Sequence, residues 1–213
     1  MNSATNNKVL SDLFGATEGS MRLAKQAALV VLGIAVLAVA AKIKVPMWPV
    51  PITMGTFAVL SIGAAYGARL GLFTIFGYML IGALGFDVFS GSGVASFKIS
   101  YLIGGTGGYF PGYKYMVGGT GGYLVGYVLA VLVLGYAARQ GWDRSIGKMA
   151  LVMVLGNVLI YVPGLFWLAM LYGTDAPIFT WGLTPFLLGD LVKLALAALL
   201  LPAVWGFVGA ARK

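Results

Sequence analysis

The sequence predicts an all-α integral membrane protein, a bundle of six transmembrane helices, and three observations carry that expectation. Of 213 residues, 60% are hydrophobic and only 9% are charged, against roughly a quarter charged in soluble domains. That is too little polar surface to coat a water-soluble globule. Long uncharged runs recur along the chain, most of them near the ~20 residues that cross a bilayer as a helix. The positive charges gather between those runs, mainly on alternate sides. The expected organisation is a polar N-terminal tail over 1–20 and one six-helix membrane domain over 21–210.

The first span is expected from Arg22 to Ile43. The second runs from Ile52 to Ala68 and the third from Leu70 to about Phe86, with Arg69 marking the turn between them. Both are short. The fourth covers about Tyr115–Ala138, the fifth Met149–Leu171 and the sixth Thr184–Gly209. Two segments are not simple spans. Lys44–Thr53 reads KVPMWPVPIT, and Pro46, Pro49 and Pro51 forbid a regular helix through it. It is expected to be irregular and to lie over a pocket mouth. Asp87–Lys114 is rich in Gly and Ser, with one short apolar patch near Ile99–Ile103, and is expected to be a long loop. It includes YLIGGTGGYFPGYK (Tyr101–Lys114), which is followed directly by YMVGGTGGYLVGYV (Tyr115–Val128), a tandem duplication of a 14-residue unit. One short duplication does not make a solenoid.

Charge gives the expected orientation. With the N-terminus inside, the inner side holds Lys8, Arg22, Lys25, Arg69, Arg139, Arg144, Lys148, Arg212 and Lys213, and the outer side holds Lys42, Lys44, Lys98 and Lys114. That asymmetry places both termini in the cytoplasm, in a multi-pass protein of the cytoplasmic membrane. Trp48 and Trp181 then fall at the outer interface, Trp142 and Trp205 at the inner one. The net charge of +8 belongs to loops flanking spans, so no nucleic-acid partner is expected. Residues 1–20 are polar, with no small-residue cleavage site at a suitable distance, and are not read as a signal peptide.

The chain has no Cys and no His. That leaves no disulfide framework, no thiolate or imidazole metal site and no His-based triad. A small intramembrane enzyme would need a constellation this chain lacks, so a binding or transport role is favoured and no metal is expected.

Asp190 and Lys193 are the sharpest signal. They are the only charges in the sixth span, in PFLLGDLVKLALAALL, and spacing i, i+3 puts them on one helical face. Ionisable groups inside a membrane are costly, face the protein interior and mark ligand or ion pathways. The plainer alternative is an ion pair that only locks helices together. Asn157 and Tyr161, in GNVLIYVPG, share a face of the fifth span at i, i+4, where an interhelical hydrogen bond competes with ligand contact. The GGTGGY units lack the Gly-Lys-Ser/Thr ending of a phosphate loop. They read better as close-approach glycines beside a tyrosine wall. Ala24 and Ala28, four apart in the first span, suit close helix packing within the chain or docking against another membrane subunit.

Four segments, in order, resemble the BioY family: KVPMWPVPIT, GGTGGYLVGY, GNVLIYVPGLFWL and FLLGDLVKLALAALL. These are the biotin-specific substrate-binding S-components of energy-coupling-factor (ECF) transporters. The resemblance covers about residues 21–208. The chain departs from the family pattern at Gly119, where a GPTGGY box usually has Pro, and in its extra copy at Gly104–Tyr109. The resemblance implies six helices and an outward-facing pocket for biotin, with no resident cofactor. It also implies a transmembrane coupling subunit and cytoplasmic ATPases, which are dedicated, shared or absent in different members. A second copy of the chain is a further candidate partner. The expected ligand-binding residues are Asp190, Lys193, Asn157, Tyr161, Thr53, Thr120, Gly121 and Tyr123, with Ala24 and Ala28 at a partner-docking face. Asp190 would accept from the ureido nitrogens of biotin, while Lys193 would reach either its ureido oxygen or its tail carboxylate. The competing readings are an S-component for thiamine or riboflavin and a structural membrane protein. A cationic thiamine would favour an acidic pocket without Lys193 beside Asp190.

Overall fold

The computed structural model describes residues 8–13, 18–90 and 113–211, and side chains of the last stretch from 115 to 208. The first copy of the duplicated unit, apart from its last two residues, therefore lies outside the described residues, as do Arg212 and Lys213.

Helix α1 is Gly19–Lys42. The next helical stretch, Gly55–Ala83, is broken at Gly67 (φ 75°, ψ 170°), a backbone conformation that L side chains rarely adopt. The break divides it into α2 (55–66) and α3 (68–83). A Cβ built on Gly71 would lie 3.7 Å from the Gly63 Cα. Those residues would sit about 12 Å apart along one straight helix. The chain thus reverses at Gly67, two residues before the charge that marked the expected turn, and the two short spans form an α-hairpin. The expected fourth span is also divided, into α4 (Tyr113–Val117) and α5 (Gly121–Arg139). Then follow α6 (Ile146–Tyr172), α7 (Ile178–Gly182) and α8 (Thr184–Ala211). Among the described residues, five stretches are long and apolar enough to cross a membrane. Counting the hairpin's two arms, the bundle has six main helices.

Nearly every face is apolar, so hydrophobicity alone does not tell inside from outside. Small and polar residues do. On α8 the buried stripe is Phe186, Asp190, Lys193, Ala197 and Leu201, while Leu188, Leu191, Val192 and Leu199 are exposed. Helix α5 lies at the centre, packed between the α2–α3 hairpin and α6. Close approach there depends on glycine: a Cβ on Gly126 would lie 2.5 Å from the Ile160 Cα. Pro163 of α6 lacks the N–H that would bond the Leu159 carbonyl, and that carbonyl faces Gly126. Helix α1 is peripheral, with Gly33, Leu37, Ala40 and Ala41 buried and most of its surface open.

The expected irregular segment is a β-hairpin. β1 (Lys44–Val45) pairs antiparallel with β2 (Ile52–Thr53), and the Trp48–Pro49 peptide is cis. Trp48 packs edge-on against Trp181 and Tyr172, with ring centres 5.1 and 5.5 Å away. At the opposite end, part of the polar tail folds back. A 3₁₀ helix (Leu10–Asp12) carries the buried Val9 and Leu10 against the Gly67 turn. Trp142 and Trp205 lie at this end. A second 3₁₀ helix (Trp142–Arg144) buries Asp143, which accepts from the Trp205 indole, while Arg144 stacks over the Trp205 ring at 4.2 Å.

Candidate ligand-binding site

One cavity opens at the end of the bundle where α1 and α3 finish and α2, α5 and α8 begin. Eight of its lining residues are aromatic or charged: Tyr78, Phe89, Tyr115, Tyr123, Tyr127, Tyr161, Phe186 and Lys193. Leu37, Ala41 and Leu124 fill the wall, Thr56, Ser90 and Thr120 add hydroxyls, and Val50, Pro51 and Thr53 of the β-hairpin close one side. The cavity measures about 50 Å³, room for a few water molecules at ~10–15 Å³ each. A ligand larger than a few waters needs these walls to part.

The buried ion pair forms the polar pole. Asp190 and Lys193 are 5% and 7% exposed, and the Lys193 Nζ stands 2.8 Å from Asp190 Oδ1. The ammonium also donates to the Thr53 carbonyl at 2.6 Å and to Thr56 Oγ1 at 3.3 Å. Its three N–H donors are thus all engaged. Asp190 Oδ1 accepts from Thr56 as well, at 3.3 Å, and Oδ2 accepts from the Tyr161 hydroxyl. Lys193 therefore ties the β-hairpin backbone to the pair. A second polar group stands across the cavity. Ser90 and Tyr115 hydroxyls are 2.7 Å apart, and Lys44 donates to the Ser90 carbonyl. Lys42 holds the same segment by donating to Asp87 at 2.6 Å and to the Phe89 carbonyl at 2.7 Å.

Of the residues expected from sequence, Lys193, Tyr161, Thr53, Thr120 and Tyr123 line the cavity. Asp190 sits directly behind Lys193 and Tyr161. Thr120 donates to the Tyr115 carbonyl, and Tyr123 donates to the Gly182 carbonyl at 2.8 Å. Gly121 does not line the cavity; it gives room to the Trp167 indole and the Met116 carbonyl. Asn157 is half-buried one turn below Tyr161, outside the cavity lining, and its Oδ1 has no hydrogen-bond partner among the described residues. Ala24 and Ala28 are exposed on the outer face of α1. Thr56, Tyr78, Phe89, Ser90, Tyr115, Tyr127 and Phe186 carry no clear site signal in the sequence. Thr56 has a faint one, a hydroxyl three residues after Thr53 at the start of a span.

Comparison with known proteins gives one consistent answer. The sequence matches the BioY family over residues 7–114 and again over 111–210. The two matches meet at the end of the first copy of the duplicated unit, as an inserted repeat would make them. The probable biotin transporter BioY of Pyrococcus horikoshii is 33% identical over 184 residues, covering 86% of this chain and 98% of that protein. The biotin transporter BioY of Thermotoga maritima is 33% identical over 172 residues, covering 78% of this chain and 87% of its own. The fold is similar to a crystal structure of the S-component for biotin from an ECF-type ABC transporter. That match has a TM-score of 0.64 at 18% identity and covers 89% of this chain and 95% of that one. The chain belongs to the BioY family.

Proposed function

We propose that this chain binds biotin in the α2–α5–α8 cavity and serves as the substrate-binding S-component of an ECF-type transporter in the cytoplasmic membrane. The observation that carries the reading is the buried Asp190–Lys193 pair, with Lys193 in the wall of a largely apolar and aromatic cavity and Asp190 directly behind it. A mostly apolar pocket with a few fixed polar anchors is the usual form of a small-ligand site. The names of the curated relatives point the same way.

Biotin offers two ureido N–H donors, one ureido carbonyl, an apolar thioether ring and an acidic tail. Asp190 accepts from the ureido nitrogens, and Lys193 donates to an oxygen of the ligand. The rings lie against Tyr123, Tyr161 and Phe186. Since every Lys193 donor is engaged without ligand, binding exchanges a bond, and its contact with the Thr53 carbonyl is the one that links the ligand to the β-hairpin. Helix α1 presents Ala24 and Ala28 to a transmembrane coupling subunit, small residues that let another helix approach closely. ATP hydrolysis belongs to partner ATPases, since GGTGGY lacks the lysine of a phosphate loop.

Binding to the purified protein tests this reading. Radiolabelled biotin should bind saturably and be displaced by unlabelled biotin but not by thiamine or riboflavin. Saturable binding of thiamine or riboflavin with none of biotin would overturn it.

A further inference from the structure

A second cavity, of about 630 Å³, lies at the opposite end of the bundle, between the N-terminal 3₁₀ helix, the start of α1 and the Gly67 turn. Its walls carry Lys8, Arg22, Lys25, Arg69 and Arg139 against a single carboxylate, Asp12. Asp12 stands 3.7 Å from Arg139, and five cations against one carboxylate make the described lining net positive. Arg22 and Arg69 are exposed, and neither belongs to the biotin site.

The cleft is not only basic. Leu29 of α1 and Phe73 of α3 form its floor with Leu70 and Tyr66. From each, an apolar stripe runs away from the charges. On α1 it is Leu29, Leu32 and Val36; on α3 it is Phe73, Phe76 and Leu80. Leu32, Val36, Phe73, Phe76 and Leu80 are 44–68% exposed. Spacing of i, i+3, i+7 keeps each stripe on one helical face. The helices lie side by side, with Gly33 of α1 against Thr74 and Tyr66. Both run from the basic end towards the other end, so the stripes extend in the same direction over about 10 Å.

We infer that this cleft is a binding site for an anionic phospholipid, its phosphodiester head group among Arg22, Arg69 and their neighbours and its acyl chains along the α1 and α3 stripes. A free phosphate would satisfy the cations but leave the apolar stripes unused, which favours the lipid. Basic pockets between transmembrane helices are known to hold such head groups, and arginine forks suit phosphate oxygens. Ala24 and Ala28 lie outside the cleft lining, so the site does not compete with the proposed docking face of α1.

The test is native mass spectrometry of the full-length protein, delipidated in detergent and titrated with dioleoylphosphatidylglycerol, dioleoylphosphatidylcholine or inorganic phosphate. Phosphatidylglycerol should bind at least fivefold better than phosphatidylcholine, and millimolar phosphate should not displace it. Arg22→Gln/Arg69→Gln should lose that preference, and Arg22→Lys/Arg69→Lys should largely keep it. Lys148→Gln, which removes an exposed charge at the same end but outside the cleft, should bind like the parent. Biotin binding, measured in parallel, should be unchanged in all three and so report folding. Equal binding of the two lipids overturns the inference. So does equal loss with Lys148→Gln, which would mean a general charge effect, or displacement by phosphate, which would mean an anion site without lipid.

Discussion

At the scale of single residues, the cavity depends on a network in which few members can be lost quietly. Asp190, Lys193, Thr56 and Tyr161 satisfy one another in a buried setting, and removing one partner leaves the others under-bonded. Asp190→Asn and Lys193→Met should each weaken biotin binding by about ten- to a hundredfold, the effect of ~1.5–3 kcal/mol for a charge-assisted hydrogen bond. Equilibrium binding on variants that still elute as folded protein measures this, and unchanged affinity in both would make the pair purely structural. The pair is legible in the sequence because a charge inside a span is too costly to sit there without a partner or a ligand. Thr56 and Ser90 are not, because a hydroxyl in or near a span is common and their convergence on the cavity depends on how the chain folds back. Asp143 is equally silent, being an acid in a short loop beside Arg144. Burial pushes its carboxyl up from 3.8 to about 6, although the Trp205 indole and Arg144 pull the other way. A raised carboxyl contributes stability that is full below its ordinary range and is lost as pH rises through about 6. The parent should therefore lose thermal stability between about pH 4 and 6. Asp143→Asn keeps an acceptor for Trp205 and cannot ionise, so its unfolding midpoint should be flatter over that interval. Parallel slopes for the two proteins would assign the pH dependence elsewhere.

At the scale of elements, long helices are plain in the sequence and reversals are not. Runs of apolar residues mark α1, α6 and α8 to within a few residues. The turn between α2 and α3 is expected at Arg69, but a charge only reports that a residue reaches water, whereas Gly67 makes the reversal because its φ is positive. The division of α4 from α5 is hidden for a similar reason. Gly118, Gly119 and Thr120 look like a glycine-rich stretch of helix until the Trp167 indole, donating to the Gly118 carbonyl, holds a non-helical turn. KVPMWPVPIT reads as irregular because of its prolines. Its short ladder between Lys44–Val45 and Ile52–Thr53 uses only the segment's ends, which no proline occupies. This β-hairpin is tethered by the Lys193 bond to Thr53 and by the Trp48–Trp181–Tyr172 cluster. If it is the wall that parts for the ligand, acrylamide quenching of tryptophan fluorescence should fall on biotin saturation in the parent and not in Trp48→Phe. The same quenching with and without biotin would mean that another wall moves. Helix packing gives a harsher test. Gly126→Leu would drive a side chain into the Ile160 backbone and should lower the unfolding midpoint sharply, whereas Gly147→Leu, which meets nothing within 4 Å, should leave it nearly unchanged.

At the scale of the whole molecule, the two ends differ in charge, and that difference predicts how the protein sits in its membrane. Among the described residues, Lys8, Arg22, Lys25, Arg69, Arg139, Arg144 and Lys148 lie at the end with the Gly67 turn, while Lys42, Lys44 and Lys114 lie at the cavity end. Lysines and arginines concentrate on the cytoplasmic side of spans, so the basic end should face the cytoplasm and the cavity should open outward. Helix α1 begins at the basic end and α8 finishes there, with Trp205 packed beside Asp143, so both termini should be cytoplasmic. The six-helix count and the charge bias are independent statements that agree, since an even number of crossings returns the chain to the side it left. The chain has no Cys, which makes the test clean. Single cysteines at Lys8 and Lys148 should resist a membrane-impermeant maleimide in intact cells and react once the cells are opened. A cysteine at Thr174, exposed between α6 and α7 at the cavity end, should react in intact cells. Reaction of the first two and protection of the third would invert the molecule. It would turn the cavity towards the cytoplasm, where it could not collect biotin from outside, and would move the basic cleft to the outer leaflet.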